Sequence, residues 1–268
     1  MKRLLMIHDL CSVGKAAMMN MIPILNTMEV EVCPLPTMLL STHTGGFGKP
    51  AIFPVPGAYL KECIRHYQRE HITFDCIFTG YLGTEEMADT VNEILMQYPE
   101  VPVIMDPIMG DNGRYYSNFD DDYKEALLPL VRKADILLPN LTEAALLCDI
   151  PFERCEKEES RLIDAMRRKM KADFILTGVP SLERTVKIAV CCKERTEIIT
   201  ESKIPYVSHG TGDLFDAVFT GAWLQGESCV ESARKAHEFV AQCLMEKQKE
   251  ATSERAGIPF EKLLGKLV

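Results

Sequence analysis

The sequence predicts an α/β protein, a three-layer α/β/α sandwich with a mostly parallel central sheet, in a single domain over residues 1–268. Three observations predict it. Short apolar runs alternate with helical patterns along nearly the whole chain. Hydrophobic content of 47% is ample for a sizeable core at this length. Polar and glycine-bearing turns recur where the apolar runs stop, which is where open α/β sheets bind their ligands. No repeat period or linker-like block divides the chain.

In order, residues 4–7 are a short apolar run, read as a buried strand, followed by a polar turn over 8–14 and a helical pattern over 15–27. Asp9 and Ser12 in that turn either face a ligand or cap the helix. A second short strand covers 30–34. The segment 36–56 is long, irregular and rich in glycine and threonine, as a functional flap would be. Within it Thr42, His43 and Thr44 offer hydroxyls and an imidazole to a small polar ring; an ordinary surface loop is the alternative. An amphipathic helix spans 58–70, and a strand over 74–79 ends in Gly80-Tyr81. Thr84 is the N-cap of the next helix, with two acids in its first turn. The strand over 101–105 runs into Asp106-Pro-Ile-Met-Gly-Asp111, and a helix covers 123–132. A strand over 136–138 leads to Pro139-Asn140 and another helix, in which Asn140 and Glu143 either form a capping box or face a metal. After a charged connector over 149–160 come a helix over 161–170 and a strand over 174–178 ending in Thr177-Gly178. Residues 186–190 and 197–200 read as a hairpin, and helices over 213–225 and 230–246 finish the fold.

A net charge of −9 argues against a general nucleic-acid surface. The ten cysteines show no C-x-x-C pair and no Cys/His cluster at metal spacing, which points to reduced thiols. The N-terminal apolar run is too short for a signal peptide, and no later run reaches membrane-spanning length. The expectation is a soluble cytoplasmic protein with no nucleic-acid or membrane partner.

The chain is organised around Ser208-His-Gly-Thr-Gly-Asp-Leu-Phe-Asp216. Gly210, Thr211 and Gly212 make a tight turn that opens an apolar helix, and unpaired N–H groups with the positive dipole end make such a turn an anion site. Asp213 stands where that helix begins. A carboxylate beside an anion hole suits a base that takes a proton from a hydroxyl while the hole stabilises a transferring phosphoryl group. The other reading is that Asp213 only charges the helix N-terminus. Asp106 and Asp111, on a rigid Pro/Gly-rich turn at a strand end, suit a hydrated Mg²⁺, or ordinary turn chemistry.

Together these motifs resemble the vitamin-kinase branch of the ribokinase-like superfamily, in particular the pyridoxal kinases. Gly210-Thr-Gly-Asp213 is similar to that family's anion hole and catalytic aspartate, Asp106-Pro-Ile-Met-Gly-Asp111 to its acidic turn, and Pro139-Asn140-x-x-Glu143 to its Asn-x-x-Glu magnesium motif. Thr79-Gly80-Tyr81 and Ser41-Thr-His-Thr-Gly45 also match, and the likeness runs in order over about 4–247. The resemblance implies ATP-dependent phosphorylation of the 5′-hydroxyl of pyridoxal, pyridoxine or pyridoxamine. It makes Asp213 the base and Gly210, Thr211 and Gly212 the phosphoryl hole. Asp106 and Glu143 would place Mg²⁺ directly or through water, with Asn140 in support. Thr177 and Gly178 would contact nucleotide phosphate; Asp9, Ser12, Thr44 and Tyr81 would line the vitamer, with 36–56 as flap. It also implies a homodimer, and leaves a monovalent cation as a further open requirement. Two departures stand out: the turn after the first strand is short and carries Asp9, and Asp216 lies one helical turn from Asp213, where it pairs with a base elsewhere or repels Asp213. Hydroxymethylpyrimidine kinase is the first alternative, and a non-catalytic vitamin- or nucleotide-binding protein the second. A Rossmann dehydrogenase is discounted, since no G-x-G-x-x-G follows the first strand.

Overall fold

The computed structural model describes residues 1–155, 158–179, 185–193, 195–202, 209–250 and 254–268. In chain order its elements are β1 (Lys2–Cys11), α1 (Met18–Thr27), β2 (Val30–Leu40), β3 (Ile52–Pro54), α2 (Gly57–Arg69), β4 (Cys76–Thr79), α3 (Glu85–Leu95), β5 (Val103–Met105), β6 (Gly110–Asp111), β7 (Arg114–Tyr115) and α4 (Asp121–Val131). They continue with β8 (Ile136–Leu137), α5 (Leu141–Cys148), α6 (Phe152–Cys155), α7 (Glu159–Lys169), β9 (Asp173–Val179), β10 (Thr185–Cys192), β11 (Arg195–Ser202), α8 (Thr211–Leu224) and α9 (Cys229–Glu250). This is the expected α/β fold, with a large, mostly parallel sheet and flanking helices. The chain gathers into two compact units, Met1–Ile77 with Ile204–Val268, and Phe78–Lys203.

In the first unit, β1 pairs with β2 in parallel, with a bulge between His8 and Leu10. Leu4, Leu5, Met6 and Ile7 are fully buried, the continuous apolar run that a strand covered on both faces needs. The strand outruns the expected 4–7. His8 pairs opposite Pro36 and is itself buried, so the polar turn begins only at Ser12. Helix α1 accordingly starts at Met18, after Ala17 with φ 53°. Strand β2 runs on to Leu40 and pairs antiparallel with β3. The irregular part of 36–56 is therefore the loop 41–51 and the two residues after β3. Pro34 and Pro36 do not stop β2, because β3 meets it only at 38–40 and the earlier part is an edge strand, where a missing N–H is tolerated. Helix α8 is apolar nearly all round and buried from Leu214 to Ala222, a core helix. A Cβ at Gly221 would lie 2.6 Å from Met28 Sδ, so glycine lets α8 approach the end of α1.

In the second unit, β5, β8 and β9 are parallel neighbours, and β10 and β11 extend the sheet antiparallel as the expected hairpin. Asn112 (φ 51°) and Gly113 (φ 76°) turn the small β6–β7 hairpin, the Asn-Gly choice for a turn with two left-handed residues. The one-turn α6 lies inside the connector over 149–160. Thr84 caps α3 as expected, its Oγ1 accepting from Met87 N–H at 3.2 Å. Thr84→Ala leaves that N–H without its partner; urea unfolding should show a loss of about 1 kcal/mol.

Candidate active site

In the first unit, the glycine turn and the start of α8 sit against the segment between β1 and α1. Gly210 has φ 85°, and a Cβ there would lie 2.6 Å from Lys15 O and 2.9 Å from Asn20 Nδ2. Both the backbone angle and the close approach demand glycine. Gly212 has open space where a Cβ would be, and Thr211, Gly212 and Asp213 lead the helix, where N–H groups lack a carbonyl one turn back. Asp213 does not cap its own helix. Its Oδ2 accepts from Ala17 N–H at 2.8 Å, and its Oδ1 lies 3.4 Å from His8 Nε2. His8 Nδ1 in turn lies 2.8 Å from Asp9 Oδ1. The structure thus brings Asp9, His8 and Asp213 into one line. Ser208 lies outside the described residues.

Burial by itself would lower the His8 pKa. Hydrogen bonds and charge from Asp213 and Asp9 outweigh it and raise the ring to about 10. Asp9 N–H also lies 2.8 Å from Nδ1, a bond only a neutral ring could accept. A carboxylate oxygen thus lies near each ring nitrogen. By sequence alone His8 belongs to a polar turn and has no assigned role. The available signal was a His-Asp pair at the end of the first apolar run. Neither Asp9 nor Ser12 caps α1: its N-cap is Ala17, with no side-chain cap among the described residues. Ser12 is exposed, and its N–H donates to Leu40 O. Asp216 is buried one turn beyond Asp213; the basic group that Asp213 meets is His8.

The loop 41–51 is anchored by His43, not left open. His43 Nδ1 accepts from Gly45 N–H at 3.0 Å, which leaves Nε2–H to donate to Arg255 O at 3.1 Å. The ring lies over Gly14, where a Cβ would come within 2.1 Å of its Cδ2. Burial lowers its pKa, consistent with the neutral form. Thr44, the next residue, is exposed.

In the second unit, Asp106 follows β5 and is buried, its N–H donating to Thr79 O. Asn140 and Glu143 form the capping box of α5: Asn140 Oδ1 accepts from Glu143 N–H and Glu143 Oε2 accepts from Asn140 N–H. Both residues also hold the acidic turn, Glu143 Oε1 accepting from Met109 N–H and Asn140 Nδ2 donating to Gly110 O. Thr142 Oγ1 accepts from Gly113 N–H. Asp111 is exposed and spends its carboxylate on Asn112, the turn role. Thr177 bridges in parallel to Asn140, and the exposed Gly178 (φ 69°) follows it. Tyr81 OH accepts from Asn118 Nδ2 at 2.8 Å. Burial, then the charge of Asp106, raises the Glu143 carboxyl well above its usual range, against hydrogen bonds from the N–H groups of Asn140, Met109 and Gly110. Two carboxyls in such mutual opposition are a donor set that a hard divalent cation relieves, so Asp106 and Glu143 fit Mg²⁺.

A sequence model described as "Phosphomethylpyrimidine kinase" matches residues 25–257, most of the chain. This chain belongs to the phosphomethylpyrimidine kinase family. Its fold is that of a crystal structure of pyridoxal kinase from Lactobacillus plantarum, 29% identical, with a TM-score of 0.91 over 100% of this chain and 96% of that one. A Bacteroides thetaiotaomicron protein crystallised with pyridoxal is 31% identical, with a TM-score of 0.90 over 99% and 95% of the two chains. The hydroxymethylpyrimidine/phosphomethylpyrimidine kinase of Staphylococcus aureus (strain MRSA252) is 28% identical over 62% of this chain, and the chain covers 60% of that enzyme's length. Among the described residues, no helix of this family member is long and apolar enough to cross a membrane.

The raised His8 pKa has a stability consequence. The folded state holds the proton more tightly than the unfolded chain, whose histidine titrates near 6.5. The stabilisation is full below about pH 6.5 and is lost as pH rises through about 10. Unfolding free energies of the wild type and His8→Gln, measured in urea at several pH values, should converge toward alkaline pH.

Proposed function

We propose that this chain, as one kinase domain over 1–268, phosphorylates the 5′-hydroxyl of pyridoxal, pyridoxine or pyridoxamine with ATP. The observation that carries it is Asp213, a carboxylate in the first turn of a glycine-opened helix, fixed through Ala17 N–H and His8 rather than used as a cap. The substrate hydroxyl gives its proton to Asp213 and attacks the γ-phosphorus in line; the bond from that phosphorus to the β–γ bridging oxygen breaks, and ADP leaves with the electron pair. The N–H groups of Gly210, Thr211 and Gly212 stabilise the charge on the phosphoryl oxygens. Such a transfer needs positioning and charge neutralisation more than covalent help. Family membership supports phosphoryl transfer, and the Bacteroides structure with pyridoxal supports the vitamer.

When bound, Mg²⁺ neutralises charge on the phosphate oxygens. Asp106 is the residue to hold it. Glu143, whose two oxygens already accept N–H groups, would support it from behind, and Asn140 keeps Glu143 in place. Thr177 and Gly178 are assigned to nucleotide phosphate, and Asp9, Ser12, Thr44 and Tyr81 to the vitamer. The loop 41–51 is what remains of the flap. A homodimer, a cytoplasmic location and a monovalent cation belong to the same proposal. Phosphorylation of hydroxymethylpyrimidine is the second reading, favoured by the family's description and the Staphylococcus relative.

A coupled ADP-release assay with ATP and Mg²⁺, offering each B6 vitamer and hydroxymethylpyrimidine separately, tests it. Turnover on the vitamers is expected, falling roughly 10²–10⁴-fold in Asp213→Ala. Turnover on hydroxymethylpyrimidine alone would change the substrate and keep the base. No turnover with vitamer binding intact would make the chain a binding protein. In the same assay Asp106→Asn should raise the Mg²⁺ concentration for half-maximal rate about tenfold or more.

A further inference from the structure

We propose that His8 is a buried cationic clamp, a positioning residue that grips Asp213 through Oδ1 while Asp9 grips the ring through Nδ1. The geometry is that of a ring with 1% of its side chain exposed, 2.8 Å from Asp9 Oδ1 on one side and 3.4 Å from Asp213 Oδ1 on the other. Asp213 Oδ2 is taken by Ala17 N–H, so a backbone donor and an imidazolium fix both oxygens of one carboxylate. Three elements contribute: β1 supplies His8 and Asp9, the segment before α1 supplies Ala17, and α8 supplies Asp213. Without the ring, Asp9 and Asp213 would present two carboxylates to a poorly hydrated space with no cation between them, which is costly. Asp9 Oδ1 is then committed to His8, and Asp9 acts on a substrate through its other oxygen.

Among the described residues, the elements beside the ring carry these ionisable groups. Strand β1 carries Asp9 and Cys11, whose thiol burial pushes up to about 11 and so keeps neutral. Helix α8 carries Asp213 and, one turn on, the buried Asp216. Strand β2 faces His8 with Pro36, and α1 contains no charged residue. His43, which also feels Asp213 and Lys247, has a lowered pKa. The two carboxylates on either side therefore dominate, and the ring's raised pKa agrees with them.

The kinetic consequence rests on the kinase activity proposed above; the protonation state does not. The test takes the whole protein with ¹⁵N-labelled histidine and reads the ring nitrogens by NMR, with His8→Gln to assign the His8 signals. Both nitrogens protonated at pH 7.5, with a midpoint that drops by at least one unit in Asp213→Asn, is the expected result. A neutral ring at pH 7.5, or a midpoint unmoved by Asp213→Asn, overturns the clamp whatever the substrate proves to be. On the substrate that turns over, His8→Gln should lower kcat about tenfold or more with KM within threefold. The wild-type rate should fall toward pH 10, and His8→Gln should lack that fall. An unchanged kcat would overturn the positioning role even with the NMR signature present. Absence of turnover on every substrate, with that signature present, would overturn the kinase activity and support the clamp.

Discussion

Asp213 is held from two directions, and much of the first unit is arranged to hold it. One oxygen takes the Ala17 N–H, and the other faces the His8 ring. Ala17 sits at φ 53°, ψ −136°, a setting that L-residues rarely adopt and that costs about 1–3 kcal/mol. That backbone aims its N–H away from α1 and toward the carboxylate. Gly210 adds the other half, bringing the start of α8 within reach of Lys15 and Asn20. A buried, nearly all-apolar α8 then keeps that N-terminus in place, since each large apolar side chain removed from water contributes roughly 1.5–3 kcal/mol.

The second unit uses one set of hydrogen bonds for two purposes. Capping and site-building are often read as competing explanations for an Asn-x-x-Glu segment. Here they coincide: Asn140 and Glu143 close the capping box, and the same two side chains hold Gly110 and Met109 of the acidic turn. The arrangement leaves a raised carboxyl at Glu143 beside the Asp106 charge. Local helix chemistry thereby fixes Glu143 beside that charge.

Much was legible in the residues alone. The alternation of strands and helices, the Thr84 cap, the Asn140–Glu143 box and the hairpin over β10 and β11 all depend on short-range patterns, and they stand where those patterns put them. Three features were read differently. Strand β1 extends past His8 to Cys11 because β2 pairs with His8, Leu10 and Cys11 around a bulge at Asp9, which periodicity does not register. The segment 36–56 looked irregular for its prolines and glycines, yet its two ends are paired strands. His43 looked available to a ligand, but both its nitrogens are used within the fold, on Gly45 and Arg255.

By itself the sequence determined the α/β class, the glycine-opened helix with its aspartate, and the acidic turn with its capping partner. These are local: spacing, turn chemistry and cap residues act over a few positions. Tertiary structure alone decided which groups meet Asp213. His8 and Asp213 are some two hundred residues apart, and nothing in local propensity encodes an ion pair at that separation. It forms because parallel pairing on β2 carries β1 past His8, and because burial of α8 puts its first turn beside that strand's end. Between two carboxylates, a histidine holds its proton more tightly than in the unfolded chain, in spite of its burial.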